Sequence, residues 1–243
     1  AAYSEALFTE AVYGEEAYRN WIRSNHRKVL QFAHVTDGDY YAMNAVPGNV
    51  TYGSTVYEKG PEVVHTLRNF MGDNLFFQAC RDYMDTLAFG NADSHDLRDV
   101  FAASSGLNLD PFFDGWVFEP GFPHWQIDSY NVTPIFDAFE VEIHVRQKQR
   151  GNNHIYGMKL PINLTDGTQN VDEVVEMTQE TQSFTITCEF EPQMVTIDRW
   201  EKMSDAIADF EKEISSTGNQ TFSQTNVSID VQTVGNGTSI VRI

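Results

Sequence analysis

The chain is poor in cysteine, in basic residues and in long apolar runs. Its 2 cysteines in 243 residues are too few for a disulfide framework, and we expect Cys80 and Cys188 to be buried free thiols. The 16 Lys and Arg are outnumbered by 35 Asp and Glu, and the net charge of −19 would repel phosphate backbones and anionic lipid. No run approaches the roughly 18 apolar residues that a spanning helix needs. We therefore expect neither nucleic acid as a partner nor membrane insertion.

Common complete active-site motifs are missing as well. The sequence has no G-x-S-x-G elbow, no phosphate-binding G-x-x-x-x-G-K and no dinucleotide-binding G-x-G-x-x-G. No two of the 7 histidines lie four residues apart, and the cysteines do not have zinc-ligand spacing. We expect His65 to be a packing or surface residue and His26 to be solvated. The chain itself is predicted to contribute no metal ligands.

The residues that are present change character near Phe122. Alanine and leucine together fall from 21 before this point to 5 after it, whereas isoleucine, valine and threonine rise from 17 to 36. Helix formers thus give way to β-branched residues, which predicts an α+β protein. The predicted domains are a helical one over residues 1–122 and a β domain over residues 123–243. Because the chain starts at Ala1 within a helical pattern and ends within a strand pattern, we expect it to be part of a longer protein.

Apolar spacing predicts helices throughout the first half. One long helix is expected from Gly14 to about residue 35, and another from Gly60-Pro61 to Gly72, with Gly60 as its N-cap. Asp73 is predicted to cap the next helix, and short helices are expected from Ser94 and from Asp110-Pro111.

The second half alternates apolar and polar residues, as half-buried strands do. The alternation is visible over residues 139–145, 158–164, 184–190 and 227–231, with turn residues such as Gly151-Asn152 and Asp166-Gly167 between them. This pattern favours an antiparallel β-sandwich. Residues 200–217 fit a helix or a strand equally well.

Residues 49–60 form a polar segment that contains two tyrosines and continues into the helix at Gly60. A tyrosine at such a junction can be fixed and yet exposed, and its hydroxyl can donate a hydrogen bond to an oxyanion. The alternative is that Tyr57 packs at the helix start with its hydroxyl already bonded.

Several segments of the first half, in order, resemble the aminopeptidase N family of zinc metallopeptidases, which are gluzincins. They are Tyr57-Glu58-Lys59-Gly60, Val63-Val64-His65-Thr66-Leu67-Arg68, Met71-Gly72-Asp73, Phe76-Phe77, Arg81-Asp82-Tyr83, Ser104-Ser105-Gly106-Leu107-Asn108-Leu109, Phe112-Phe113, Trp116 and Gly121-Phe122-Pro123. The first residues, Ala1-Ala2-Tyr3, are similar to the end of the family's Asn-Glu-Gly-Phe-Ala-x-Tyr motif.

The resemblance implies the C-terminal part of a gluzincin catalytic domain followed by a β-sandwich. It implies that Tyr57 is the tyrosine that stabilises the transition state, and that Tyr52 contacts the substrate. It places the third zinc ligand three residues before Ala1 and the H-E-x-x-H segment further upstream. Zinc is thus expected in the full-length protein and not in this part alone, which we expect to be inactive. The implied substrates are peptides, cleaved at their N-terminal residue.

A second hypothesis is a non-catalytic relative that serves as an interaction scaffold and retains the Tyr57 motif as a remnant. The family often acts outside the cytoplasm, so a secreted or periplasmic location is expected. Six Asn-x-Ser/Thr sequons would permit glycosylation in a eukaryotic secretory pathway.

Overall fold

The computed structural model describes residues 2–208, 230–234 and 238–242. Helices come first and strands second, which confirms the predicted α+β class. The helices are α1 (Tyr3–Tyr13), α2 (Glu15–Lys28), α3 (His34–Asp37), α4 (Gly60–Met71), α5 (Asp73–Thr86), α6 (Ser94–Ser105) and α7 (Asp110–Trp116), with a short 3-10 turn at Gly48–Val50. None of the helices in the described ranges is both long and apolar enough to cross a membrane.

The long helix predicted from Gly14 is confirmed but is not regular. Between α2 and α3 the chain forms a π turn over Val29–Ala33, and the helical path then continues to Asp37. A second π turn, Thr55–Lys59, directly precedes α4 and contacts the first one. We call Thr55–Lys59 the tyrosine turn, since it contains Tyr57.

Helix α4 covers the predicted residues, but the prediction that Gly60 is its N-cap was wrong. The backbone is already helical at Ser54, and the Gly60 N–H donates to the carbonyl of Thr55, five residues earlier, as in a π-helix. The helix starts earlier because an acceptor from another part of the chain forms hydrogen bonds with its first N–H groups. The predicted end at Gly72 is confirmed, with φ of 80° and an N–H that donates to the Arg68 carbonyl.

The predicted cap of α5 also differs from the structure. The Asp73 side chain does not cap α5; instead it accepts hydrogen bonds at 2.8 and 2.9 Å from the Arg68 guanidinium. Helix α6 begins at Ser94 as predicted, and Asp93 caps it in a capping box with Asp96.

The strands are β1 (Phe122–Ile135), β2 (Ala138–Arg150), β3 (Met158–Thr165), β4 (Asn170–Met177), β5 (Thr181–Cys188), β6 (Met194–Ile197), β7 (Ala206–Ala208), β8 (Asp230–Val234) and β9 (Thr238–Arg242). One sheet has the order β5-β2-β1-β7 and a second has β4-β3-β6, while β8 pairs with β9. All of these strand pairs are antiparallel except β1 with β7.

The strands predicted at 139–145, 158–164 and 184–190 correspond to β2, β3 and β5. Strands β1, β4 and β6 were missed. The ambiguous segment at 200–217 is a loop that ends in the short strand β7, and its part beyond residue 208 lies outside the described residues, as do Val227 and Ile229.

One hydrophobic cluster runs through both halves of the chain. It joins Phe112 and Trp116 of α7 to Tyr156, to Ile143 of β2 and to Leu160 of β3, so both sheets contribute to it. The predicted boundary between residues 122 and 123 stays a prediction, although β1 begins there. Both cysteines are free, but only Cys188 is buried; the expectation that Cys80 is buried was wrong, since it is half-buried.

Gly121 makes the turn from the helical half into β1. Its φ is +77°, and a Cβ at this position would overlap the Arg150 carbonyl oxygen. Only glycine therefore fits where Phe122 pairs with Arg150.

Candidate functional site

The site is built around the tyrosine turn, whose backbone is fixed by its own hydrogen bonds. The Tyr57 N–H donates to the Gly53 carbonyl at 3.1 Å, and the Val56 N–H donates to the same oxygen at 3.2 Å. Together with the bond between Gly60 and Thr55, these contacts determine where the Tyr57 side chain leaves the backbone.

Asp37, the last residue of α3, supplies the acceptor at the start of the turn. Its carboxylate accepts from the N–H of Ser54 at 2.9 Å and from the N–H of Thr55 at 2.7 Å. Burial would raise the pKa of Asp37, but the hydrogen bonds from Thr55 and Ser54 outweigh it and lower that pKa below its ordinary value. The carboxylate therefore stays ionised at neutral pH, in the form that binds both donors.

Asn25 of α2 fixes the other end of the turn. Its Nδ2 donates to the carbonyl of Glu58 at 2.7 Å and to Oε1 of Glu62 at 2.9 Å. Glu62 is completely buried, and burial raises the pKa of its carboxyl group to about 8. Tyr57 thus lies between two anchored points, one bonded to Asp37 and the other to Asn25.

The structure brings the two predicted site residues together and leaves both accessible. Tyr57 is 49% exposed and Tyr52 is 86% exposed, and their rings stack with centroids 6.2 Å apart and planes 16° from parallel. No group of the described residues forms a hydrogen bond with the Tyr57 hydroxyl. That hydroxyl is free to donate to a bound molecule, contrary to the alternative in which it is already bonded.

The described residues contain no group of three His, Cys, Asp or Glu side chains that could bind a metal ion. Two central histidines are bonded within the fold instead. Nε2 of His26 is 2.8 Å from the Asp205 carbonyl, so the expectation that His26 is solvated was wrong. His65 is likewise buried, and its two nitrogens contact the Tyr18 hydroxyl and the Glu201 carbonyl.

A cleft of 540 Å³ opens between α1, α2, α4 and the loop near Glu201. A chain of hydrogen bonds lines it. Because the Glu201 carbonyl can only accept, Nε2 of His65 must carry the proton, and Nδ1 then accepts from Tyr18 at 2.6 Å. Tyr18 in turn accepts from Tyr3 at 2.8 Å, and Arg68 is 3.4 Å from the Tyr3 hydroxyl. Tyr3, His65 and Arg68 lie in segments that resemble the family, but the sequence did not predict that they form one network.

This network makes stability depend on pH through His65. Burial, with smaller contributions from His26 and Arg68, lowers the pKa of His65 to about 4, whereas in the unfolded chain it lies near 6.5. The unfolded state therefore binds more protons between pH 6.5 and 4, and the folded state loses stability as the pH falls through this window.

We expect the wild type to exceed His65→Gln in free energy of unfolding by less at pH 4 than at pH 7, and the change in this difference to be about 3 kcal/mol. Urea unfolding at several pH values measures it. His144→Gln, which replaces a half-exposed histidine of β2, controls for the loss of a histidine as such. A His65→Gln difference that stays constant with pH would contradict this prediction.

Comparison with known proteins adds independent evidence. Residues 1–116 match the family model described as the peptidase family M1 domain. The chain is 32% identical over 68 residues to aminopeptidase N of Lactococcus lactis subsp. lactis, a match that covers 28% of this chain and 8% of the relative. It is 26% identical over 131 residues to aminopeptidase N of Lactobacillus delbrueckii subsp. lactis, covering 51% of this chain and 14% of that protein.

The fold is also found among solved structures. The crystal structure of Legionella pneumophila aminopeptidase A superposes with a TM-score of 0.65 at 16% identity, over 87% of this chain and 23% of that one. The chain thus spans less than a quarter of the length of each of these three proteins. The motifs of the helical half agree with this comparison, and residues 1–116 match peptidase family M1, the family of these aminopeptidases.

Proposed function

We propose that the protein containing this chain is a zinc-dependent aminopeptidase that removes N-terminal residues from peptides, and that Tyr57 stabilises the transition state. The observation that carries this proposal is the free, exposed hydroxyl of Tyr57 on a turn that is anchored at both ends. The family match supports the reaction class, and the geometry supports the role of the residue.

The contribution of Tyr57 follows from the charge that develops during hydrolysis. Addition of water to the scissile carbonyl converts its oxygen into an oxyanion, and a fixed O–H donor lowers the energy of that state more than that of the substrate. A donor that is already anchored needs little reorganisation when the charge appears. The hydrogen bonds from the Tyr57 and Val56 N–H groups to the Gly53 carbonyl fulfil this requirement for the backbone of the turn.

We assign Tyr52 a role in substrate contact. Its ring is more exposed than that of Tyr57 and lies roughly parallel to it. The two rings offer a flat apolar surface with a polar edge, which suits a side chain or backbone of a peptide.

Zinc has no set of three ligands among the described residues, so no step is assigned to it here. In this proposal its ligands belong to a part of the protein outside this chain, as the resemblance implies. The chain alone is then expected to bind no stoichiometric zinc and to be inactive.

The test compares the whole protein with the isolated chain on aminoacyl p-nitroanilides and their N-acetylated forms. We expect the whole protein to hydrolyse only the free-amine substrates, to lose activity with a chelator and to regain it with zinc. Equal cleavage of the acetylated forms, or one tightly bound zinc in the isolated chain, would contradict the proposal. No hydrolysis by the whole protein would favour the non-catalytic scaffold.

A further inference from the structure

Asp37 occupies a position that its own helix does not explain. It is the last residue of α3, where the negative end of the helix dipole disfavours a carboxylate. It is also only 7% exposed, so water compensates little for the charge. A buried carboxylate at the C-terminal end of a helix needs hydrogen-bond donors from another part of the chain.

Those partners are the first N–H groups of the helix that contains Tyr57. Asp37 binds Ser54 and Thr55 together, one with each carboxylate oxygen. A negative charge is favourable at this end of a helix, and the carboxylate acts there as a cap supplied from 17 and 18 residues away.

Gly53 permits this approach and links it to the tyrosine. A Cβ on Gly53 would overlap Oδ1 of Asp37 and lie 2.9 Å from the Val50 carbonyl oxygen. The carbonyl of the same glycine accepts the N–H of Tyr57. A shift of Asp37 would therefore reach Tyr57 through a short, bonded stretch of backbone.

We infer that Asp37 is a positioning residue for Tyr57: its carboxylate fixes the start of the tyrosine turn so that the phenolic hydroxyl meets the oxyanion. This inference rests on the proposed function and adds a residue to it. Asp37 touches neither substrate nor reacting atoms in this account, and acts only through the backbone of Gly53, Ser54 and Thr55.

The experiment is a double-mutant cycle in the whole protein. Asp37→Asn keeps the size of the side chain but replaces one acceptor oxygen with an amide that cannot accept, so one of the two N–H bonds is lost. We expect kcat to fall about 10- to 100-fold, as for a displacement of up to about 1 Å, with KM changed less than about twofold. In the Tyr57→Phe background the same substitution should lower kcat less than about twofold further, because the group that it positions is absent.

Asp39→Asn is the matched control. Asp39 is an exposed aspartate two residues further on that accepts one backbone N–H, that of Tyr40, and its substitution should leave kcat near the wild-type value. A purely structural role for Asp37 would give losses that multiply with Tyr57→Phe, or a change in KM alone, and either result would overturn the inference.

Gly53→Ala provides a second route if Asp37→Asn does not fold, which thermal unfolding will reveal. The added methyl would overlap Oδ1 of Asp37 and displace the carboxylate, and we expect the same fall in kcat and the same absence of effect in the Tyr57→Phe background. If Tyr57→Phe itself keeps the wild-type kcat, the proposed function fails and this inference with it. If Tyr57→Phe is impaired but neither Asp37→Asn nor Gly53→Ala is, only the role of Asp37 is wrong.

Discussion

Replacing Tyr57 with phenylalanine should lower kcat of the whole protein by about 10²- to 10³-fold, the usual cost of removing one oxyanion donor. The substitution removes a single oxygen, and the hydroxyl makes no hydrogen bond within the described residues, so the fold loses nothing with it. The phenyl ring that remains would keep its contact with Tyr52. Steady-state kinetics on an aminoacyl p-nitroanilide gives kcat, and thermal unfolding should be unchanged.

Tyr52→Phe is the matched control, since it makes the same chemical change on the neighbouring ring. Its hydroxyl is not assigned to the oxyanion, so we expect a smaller effect, mainly on KM. If Tyr57→Phe and Tyr52→Phe had equal and small effects on kcat, the assignment of the donor to Tyr57 would be wrong.

Replacing Trp116 with alanine should destabilise the protein by about 3–5 kcal/mol, as for other large-to-small changes in a core. Its side chain is 1% exposed and lies between Phe112, with centroids 6.0 Å apart, and Tyr156, with centroids 5.3 Å apart. Its indole N–H donates to the sulfur of Met158 at 3.2 Å. Because α7 and β3 both lose contacts, the two halves should unfold in one shifted transition in urea.

Phe136→Ala serves as the control for Trp116→Ala. Phe136 is 99% exposed between β1 and β2, so its removal should change the free energy of unfolding by less than about 0.5 kcal/mol. The prediction would be wrong if Trp116→Ala shifted the unfolding of the helices alone and left the sheets with wild-type stability. The two halves would then not unfold together through the shared core.

The strands that could be predicted are the longer ones with one buried face; β6 also alternates, but its four residues are too few to show a period. In β2, Val141, Ile143 and Val145 are buried and alternate with less buried residues, so the period of two is visible in the sequence. Strand β1 lies between β2 and β7, and its first four residues are all buried, which removes the alternation. Strand β4 is mostly exposed and rich in acids, so it resembles a loop in composition.

The candidate site residues could be named from the sequence, but the contacts that hold them in place could not. Tyr57 was identified from a family motif and a sequence junction, both of which are local. Asp37 binds the start of the helix that contains Tyr57, and Asn25 binds the end of the tyrosine turn. Neither contact produces a periodic pattern in the sequence. Propensity also cannot distinguish a π turn from an α-helix, because both use the same backbone region.

The tyrosine turn adds one residue to a helix that would otherwise close its bonds four residues apart. Each residue of an α-helix advances the side chains by about 100° around the axis. Deletion of one residue among Thr55–Lys59 would leave the buried face of α4 packed as it is. The residues before the deletion, Tyr52 included, would then rotate around the helix axis relative to α4. A relative that lacks one residue in this turn would therefore hold its tyrosine side chains in different positions relative to the rest of the fold.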